Sequence, residues 1–106
     1  MLTEFKDSDF EDKIKKDDIS ICIFGAAWCG PCKNLKPIMD KFSDTYKDKA
    51  QNWFYCDVED GAINTGSQMF IRGVPTTIIF KKGVEIDRLV GNPGEAAVKE
   101  FLDKNI

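Results

Sequence analysis

Apolar positions along this chain fall into two rhythms. Ile19-Ser20-Ile21-Cys22-Ile23-Phe24 is apolar everywhere but Ser20, the pattern of a strand covered on both faces. Trp53 to Val58 reads as a second strand. Between them Leu35, Ile38, Met39, Phe42 and Tyr46 recur at i, i+3, i+4 and i+7 spacing, one face of a long helix. The same reading predicts a short edge strand over Met1 to Phe5 and a helix opening at Ser8-Asp9-Phe10-Glu11 with Ile14 inward. It also predicts a short glycine-containing helix from Gly61 to about Phe70. Thr76 to Phe80 and Glu85 to Val90 form a hairpin across Lys82-Gly83. A last helix has Asn92 as N-cap, Pro93 at N1 and Glu95 at N3, and buries Val98, Phe101 and Leu102. Strand and helix signals alternate, so the class is α/β with parallel pairs in the sheet.

Composition narrows the options. A chain of 106 residues, 42% hydrophobic with eight phenylalanines, suits one domain over 1–106 and fills a core without structural staples. The net charge of −3, with lysines spread rather than blocked, argues against nucleic acid or an anionic membrane as partner. No stretch is long enough to span a bilayer. Met1-Leu2-Thr3-Glu4-Phe5-Lys6 lacks the apolar region of a signal peptide, so the expected location is the cytoplasm.

Chemistry concentrates in Trp28-Cys29-Gly30-Pro31-Cys32-Lys33, between the first buried strand and the long helix. Two cysteines three apart on a first helical turn lie on nearly one face. Their Cα separation, roughly 5–6 Å, is one a disulfide tolerates. A helix N-terminus offers unpaired N–H groups and a positive dipole end, both favouring a thiolate. With Cys29 as N-cap, its sulfur accepts from the first turn. Pro31 has no N–H, so the Cys32 amide is the expected donor. Following the loop Gly25-Ala26-Ala27-Trp28, Cys29 should lie at the surface as the attacking thiolate. Cys32, one turn in, should be the shielded resolving thiol. Trp28 reads as a substrate contact and Trp53 as core or edge packing.

Other uses of the cysteines weigh less. A structural zinc needs four ligands; with no histidine in the chain, Cys22, Cys56 or carboxylates would have to supply the rest. A purely structural bridge across so small a loop adds little stability. Cys22 and Cys56 each lie in an apolar strand, where a free cysteine behaves as a small hydrophobe. For Cys56, nearer a strand end, regulatory oxidation stays open.

The hexapeptide resembles the active-site motif of the thioredoxin family, and further motifs match in order along nearly the whole chain. Pro37 interrupts the long helix as in that family. Arg72-Gly73-Val74-Pro75-Thr76-Thr77 resembles its loop with a cis proline facing the dithiol, Phe80-Lys81-Lys82-Gly83 its hairpin turn, and Gly91 its late glycine beside the groove. The resemblance implies the thioredoxin fold: a mixed sheet of five strands, or four plus a short edge strand, flanked by four helices. It implies a reductant of protein disulfides, with Cys29 and Cys32 cycling between dithiol and disulfide. Such Cys-X-X-Cys motifs, thioredoxin's among them, are known for a lowered thiol pKa. Gly30, Pro31, Lys33 and Pro75 would support the site, and Trp28, Val74, Pro75 and Gly91 would line a groove. There an extended substrate pairs with Val74 as an added strand. No cofactor is bound, electrons come from a flavin thioredoxin reductase using NADPH, and the chain is a monomer. An oxidase or isomerase, and a docking module with chemistry secondary, are the alternatives.

One departure from the family stands out. The buried aspartate that thioredoxins carry six residues before the first cysteine is Ile23 here. The lysine that often accompanies it is Tyr55. The expected result is a more apolar floor under the dithiol. That floor would raise the pKa of Cys32 and slow its resolving step near neutral pH, and it would also favour stability.

Overall fold

The apolar run Ile19–Phe24 becomes the middle of a five-stranded mixed sheet. A computed structural model describes residues Met1–Ile106. In chain order the elements are β1 (Thr3–Glu4), a π-helical turn (Phe10–Ile14), β2 (Ile19–Gly25), α1 (Gly30–Thr45), β3 (Asn52–Asp57), α2 (Ile63–Gln68), β4 (Thr76–Lys81), β5 (Val84–Val90) and α3 (Glu95–Asn105). The strands lie in the order β1-β3-β2-β4-β5. β1 and β2 run parallel to β3, while β4 is antiparallel to both β2 and β5.

Alternation along each strand builds two cores. Ile21 and Ile23 face one way with Tyr55 and Ile79, against Leu35, Met39 and Phe42 of α1 and Val98, Phe101 and Leu102 of α3. Cys22 and Phe24 face the other way with Phe54, Cys56, Ile78 and Phe80, against Phe5, Ile14 and Ala62. Covering both faces explains why β2 carries almost no polar residue.

Several boundaries differ from the sequence expectation. The first helix is a single π turn, closed by Lys15 N–H donating to the Phe10 carbonyl at 2.9 Å. Asp9 does not cap it, because its carboxylate accepts from the Lys6 amide before the turn at 2.9 Å. Five residues are too few to sustain an α-helix unaided, and the turn is held by Ile14 in the core and by Phe10 edge-on to Phe80. Four helical elements thus flank the sheet as expected, the first of them mostly a π turn. Pro37 does not interrupt α1, which continues to Thr45; the proline leaves only the Lys33 carbonyl without its intrahelical donor. The last helix starts at Glu95 rather than Pro93. Gly94, at φ 101°, cannot be helical, and Asn92 Oδ1 accepts from Gly94 N–H at 3.1 Å as a local turn. Glu95 pairs with Lys41 at 2.6 Å instead of completing a capping box. The hairpin turn is as read: Lys82 and Gly83 both take positive φ, as a two-residue turn matching strand twist requires.

Asp7 performs a long-range cap. Its carboxylate accepts from the amides of Asn64 and Thr65, at 3.2 and 2.9 Å, and from the Thr65 hydroxyl at 2.8 Å. These are first-turn donors of α2, whose own N-cap position, Ala62, supplies no side-chain bond. Burial pushes the Asp7 carboxyl up, but these donors outweigh it and hold its pKa below the usual value.

Candidate active site

Cys29 is the N-cap of α1, in extended backbone at φ −84° and ψ 111°. Its side chain therefore turns back over the first turn, and the Cys32 amide donates to its sulfur at 3.2 Å. Pro31 occupies the first turn, where its missing N–H removes no intrahelical bond. The two cysteines are joined as a disulfide with a Cα separation of 5.3 Å. Oxidised, Cys29 Sγ lies 3.6 Å from the Val74 carbonyl; a reduced, protonated thiol there would donate to that oxygen.

Cys29 is not at the surface as its loop position suggests. It is only 3% exposed, against 0% for Cys32. The capping geometry folds its sulfur into a small apolar cluster with Ala26 and Cys32, and Val74 packs over it. What is exposed is the rim. Trp28 is 69% exposed, and its indole N–H donates to Glu59 Oε1 at 2.8 Å. Gly30, Pro31 and Lys33 are exposed on the first turn. The Val74–Pro75 bond is cis, and the Pro75 carbonyl accepts from the Gly91 amide at 2.7 Å. Gly91, at φ 87°, thus joins the end of β5 to the loop beside the dithiol. Cys29, Cys32, Val74, Pro75 and Gly91 are in this way tied to one end of the sheet. Glu59 is the residue that sequence reasoning missed; nothing local marks it, since its partner lies 31 positions away.

The floor under the dithiol is less apolar than Ile23 alone suggests. In the sheet Ile23 lies between Tyr55 on β3 and Thr77 on β4, and laterally paired residues project to the same face. The Thr77 hydroxyl is fully buried without a hydrogen-bond partner. Tyr55 is 8% exposed, and its phenol turns toward Gly25. A Cβ added at Gly25 would overlap the Tyr55 hydroxyl and stand 3.2 Å from Cys32 Sγ. Lys36 Nζ covers the Tyr55 ring at 4.3 Å from its centroid and reaches Glu4 at 3.5 Å. Burial, then the carboxylates of Asp57 and Glu4, push the Tyr55 phenol above its ordinary pKa.

The other two cysteines, Cys22 and Cys56, lie on the opposite face of the sheet, both fully buried. Burial and the adjoining Cys22 thiol push Cys56 well above the ordinary thiol value. No group of three or more His, Cys, Asp or Glu side chains converges as metal ligands, and no helix is long and apolar enough to cross a membrane.

Known proteins agree with this geometry. The thioredoxin family profile matches residues 1–104. A thioredoxin of Staphylococcus epidermidis is 32% identical over 105 residues, covering 99% of this chain and 98% of its own. Thioredoxin-1 of Saccharomyces cerevisiae is 35% identical over 107 residues, 99% of each chain. The chloroplastic thioredoxin M4 of Arabidopsis thaliana is 37% identical over 106 residues, 99% of this chain and 52% of its own. Likeness along nearly the full length, together with a dithiol held at disulfide distance on a helix N-terminus, settles the class: this chain belongs to the thioredoxin family of thiol-disulfide oxidoreductases.

Proposed function

We propose that the protein reduces disulfides of other proteins, with Cys29 as the attacking thiolate and Cys32 as the resolving thiol. The observation that supports these roles best is the Cys32 amide donating to Cys29 Sγ at 3.2 Å. An N–H aimed at one sulfur from a helix N-terminus stabilises charge on that sulfur and not on the other. Cys29 attacks a substrate disulfide, forming a mixed disulfide and expelling one substrate thiolate. Cys32 then attacks Cys29, closing the Cys29–Cys32 bond and releasing the second substrate sulfur. Two electrons pass from the dithiol to the substrate.

Trp28, Val74, Pro75 and Gly91 form the groove in this reading, with Gly30, Pro31 and Lys33 on its rim. The Val74 carbonyl, 3.6 Å from Cys29 Sγ, is placed to pair with an extended substrate segment beside the reacting sulfur. Gly30-Pro31 is the pair of reducing family members. The chain then works as a monomer and one domain over 1–106 in the cytoplasm, without a bound cofactor. A flavin thioredoxin reductase using NADPH recharges it.

Trapping tests the roles. Cys32→Ser should accumulate covalent adducts on Cys29 that dithiothreitol releases, and Cys29→Ser should accumulate none; adducts on Cys32 in the second variant would reverse the assignment. The direction is tested by the equilibrium potential of Cys29/Cys32, with Cys22 and Cys56 changed to serine. A value near about −270 mV, the known figure for thioredoxin, supports a reductant. One above about −200 mV favours an oxidant or isomerase.

A further inference from the structure

We infer that Tyr55 is a positioning residue for Cys32: its hydroxyl donates a hydrogen bond, directly or through one water, to the Cys32 thiolate that forms in the resolving step. The inference rests on Cys32 being the resolving thiol, and it assigns to this chain's own tyrosine the stabilisation that Ile23 cannot give.

Geometry carries it. Gly25 has no side chain, and the space that a Cβ would fill there is bordered by the Tyr55 hydroxyl on one side and Cys32 Sγ, at 3.2 Å, on the other. A bulkier residue at this position would wedge the two polar atoms apart. The Tyr55 hydroxyl makes no hydrogen bond within the oxidised protein, while the residue is 8% exposed, with Ile23 beside it in the sheet and Lys36 above its ring. The hydroxyl is thus free to donate, and Cys32 Sγ is the sulfur that borders the same Gly25 space. The hydroxyl also borders a cavity of about 320 Å³ lined by Glu4, Ala26, Ala27, Lys33, Lys36, Tyr55 and Asp57.

The charged and titratable groups around the phenol come from three elements. Glu4 faces it from β1, Lys33, Lys36 and Cys32 from α1, and Asp57 from β3, with Cys56 next in the chain on the opposite face of the sheet. Burial and the two carboxylates keep the phenol protonated throughout the neutral range. It therefore donates and is never the base. When the mixed disulfide is resolved, the Cys32 S–H proton passes to solvent water, and the thiolate, held by Tyr55 Oη–H, attacks Cys29 Sγ. The Cys29–Cys32 bond forms as the bond from Cys29 to substrate breaks. The departing substrate sulfur leaves with the electron pair and takes a proton from solvent. Tyr55 ends the step as it began.

Tyr55→Phe removes one oxygen and leaves the ring in place. The probe is an aromatic disulfide reagent whose thiolate is coloured: the reduced protein releases one equivalent as Cys29 reacts and a second as Cys32 resolves. A hydrogen bond to a charged sulfur corresponds to about one unit in pKa, or tenfold in thiolate fraction. A less acidic thiol is also the stronger nucleophile once ionised, by about threefold per unit. The variant's second phase should therefore shift its pH midpoint up by about one unit. It should run about threefold slower at pH 7 and about threefold faster on the alkaline plateau, so the two profiles cross. Profiles that coincide, or that differ by one factor at every pH, overturn the inference and leave the roles of Cys29 and Cys32 standing. A parent protein with no second phase overturns both. Absorbance titration of the Cys32 thiolate, with the other three cysteines changed to serine, gives an independent readout: Tyr55→Phe should raise its pKa, and an unchanged value overturns the inference.

Discussion

The indole N–H of Trp28 donates to Glu59 Oε1 at 2.8 Å, tying the residue before Cys29 to the chain just beyond β3. This one bond orients an aromatic ring that is otherwise mostly in solvent. Removing it releases rotamer freedom that substrate binding must then restrict. Glu59→Ala should raise KM for a disulfide-bonded protein about two- to fivefold, the equivalent of about 0.5–1 kcal/mol. The rate with a small aromatic disulfide should hardly change. Steady-state reduction of both substrates checks this, and an equal loss on each would place Trp28 outside substrate contact.

Gly25 is fixed by steric space rather than by backbone conformation. A Cβ there would approach Tyr55 Cζ to 2.9 Å and Cys32 Sγ to 3.2 Å, besides overlapping the phenol oxygen. Gly25→Ala should cost about 1–3 kcal/mol, the usual range for overpacking. Part of that clash is with the hydroxyl alone, so Tyr55→Phe should recover some of it. A double-mutant cycle by urea denaturation should give a favourable coupling of at least about 0.5 kcal/mol. Strict additivity would mean that the alanine is accommodated elsewhere.

How much of this was legible follows the range of each interaction. The dithiol, its cap and the buried strand are local: Cys29 and Cys32 are three apart, and Ile19–Phe24 declares its burial residue by residue. The Pro75 loop and Gly91 were recognisable through family resemblance, and a cis bond does stand at Val74–Pro75. What failed depended on side chains choosing distant or unexpected partners. Glu95 went to Lys41, and Gly94 rather than Asn92 set the start of α3. Tyr55 pairs with Ile23 in the sheet, but position alone gives no hydroxyl direction. A loop location suggests an exposed Cys29, but a capping side chain folds inward.

Thr77 holds a fully buried hydroxyl with no partner, beside Ile23. Desolvating such a group costs about 1–3 kcal/mol unless it is paired. Thr77→Val keeps the shape and removes the polar atom, so the variant should be more stable by about 1 kcal/mol. The pH midpoint of the Cys32 resolving step should stay where it is. Chemical denaturation measures the first and the two-phase thiol assay the second. A less stable variant would mean that the hydroxyl is satisfied in solution.

Asp7 links acid stability to the long-range cap on α2. Its folded-state pKa is held below the usual value, so the unfolded chain takes up the proton first as pH falls. The cap's contribution is therefore fully present above about pH 4, the unfolded carboxylate range, and is lost as pH drops through the lower folded value. Asp7→Ala should cost about 1 kcal/mol at pH 7, as for a lost N-cap. Its stability should then fall less steeply than the parent's below pH 4. Urea midpoints across pH 2.5–7 test both, and parallel acid limbs would show that the carboxylate is not the group lost.

Cys56 and Cys22 should be silent in the folded protein. Both are fully buried on the face of the sheet opposite the dithiol. Burial, reinforced by the neighbouring Cys22 thiol, pushes Cys56 well above the ordinary value. Only a thiolate attacks a disulfide reagent at a useful rate, so Cys56 lacks both access and ionisation. The reduced native chain should release two equivalents from an aromatic disulfide, and four after denaturation, in keeping with its four cysteines. Reaction of the last two should follow the unfolding rate rather than reagent concentration. The raised pKa also fixes a sign: above the ordinary thiol range the unfolded chain loses this proton first, so stability declines as pH rises through that range. Cys56→Ala should flatten the alkaline limb while opening a small cavity that lowers stability at neutral pH. Fast modification of Cys56 in the native protein, seen by mass mapping at pH 7, would instead restore the regulatory reading that its place near the end of β3 first suggested.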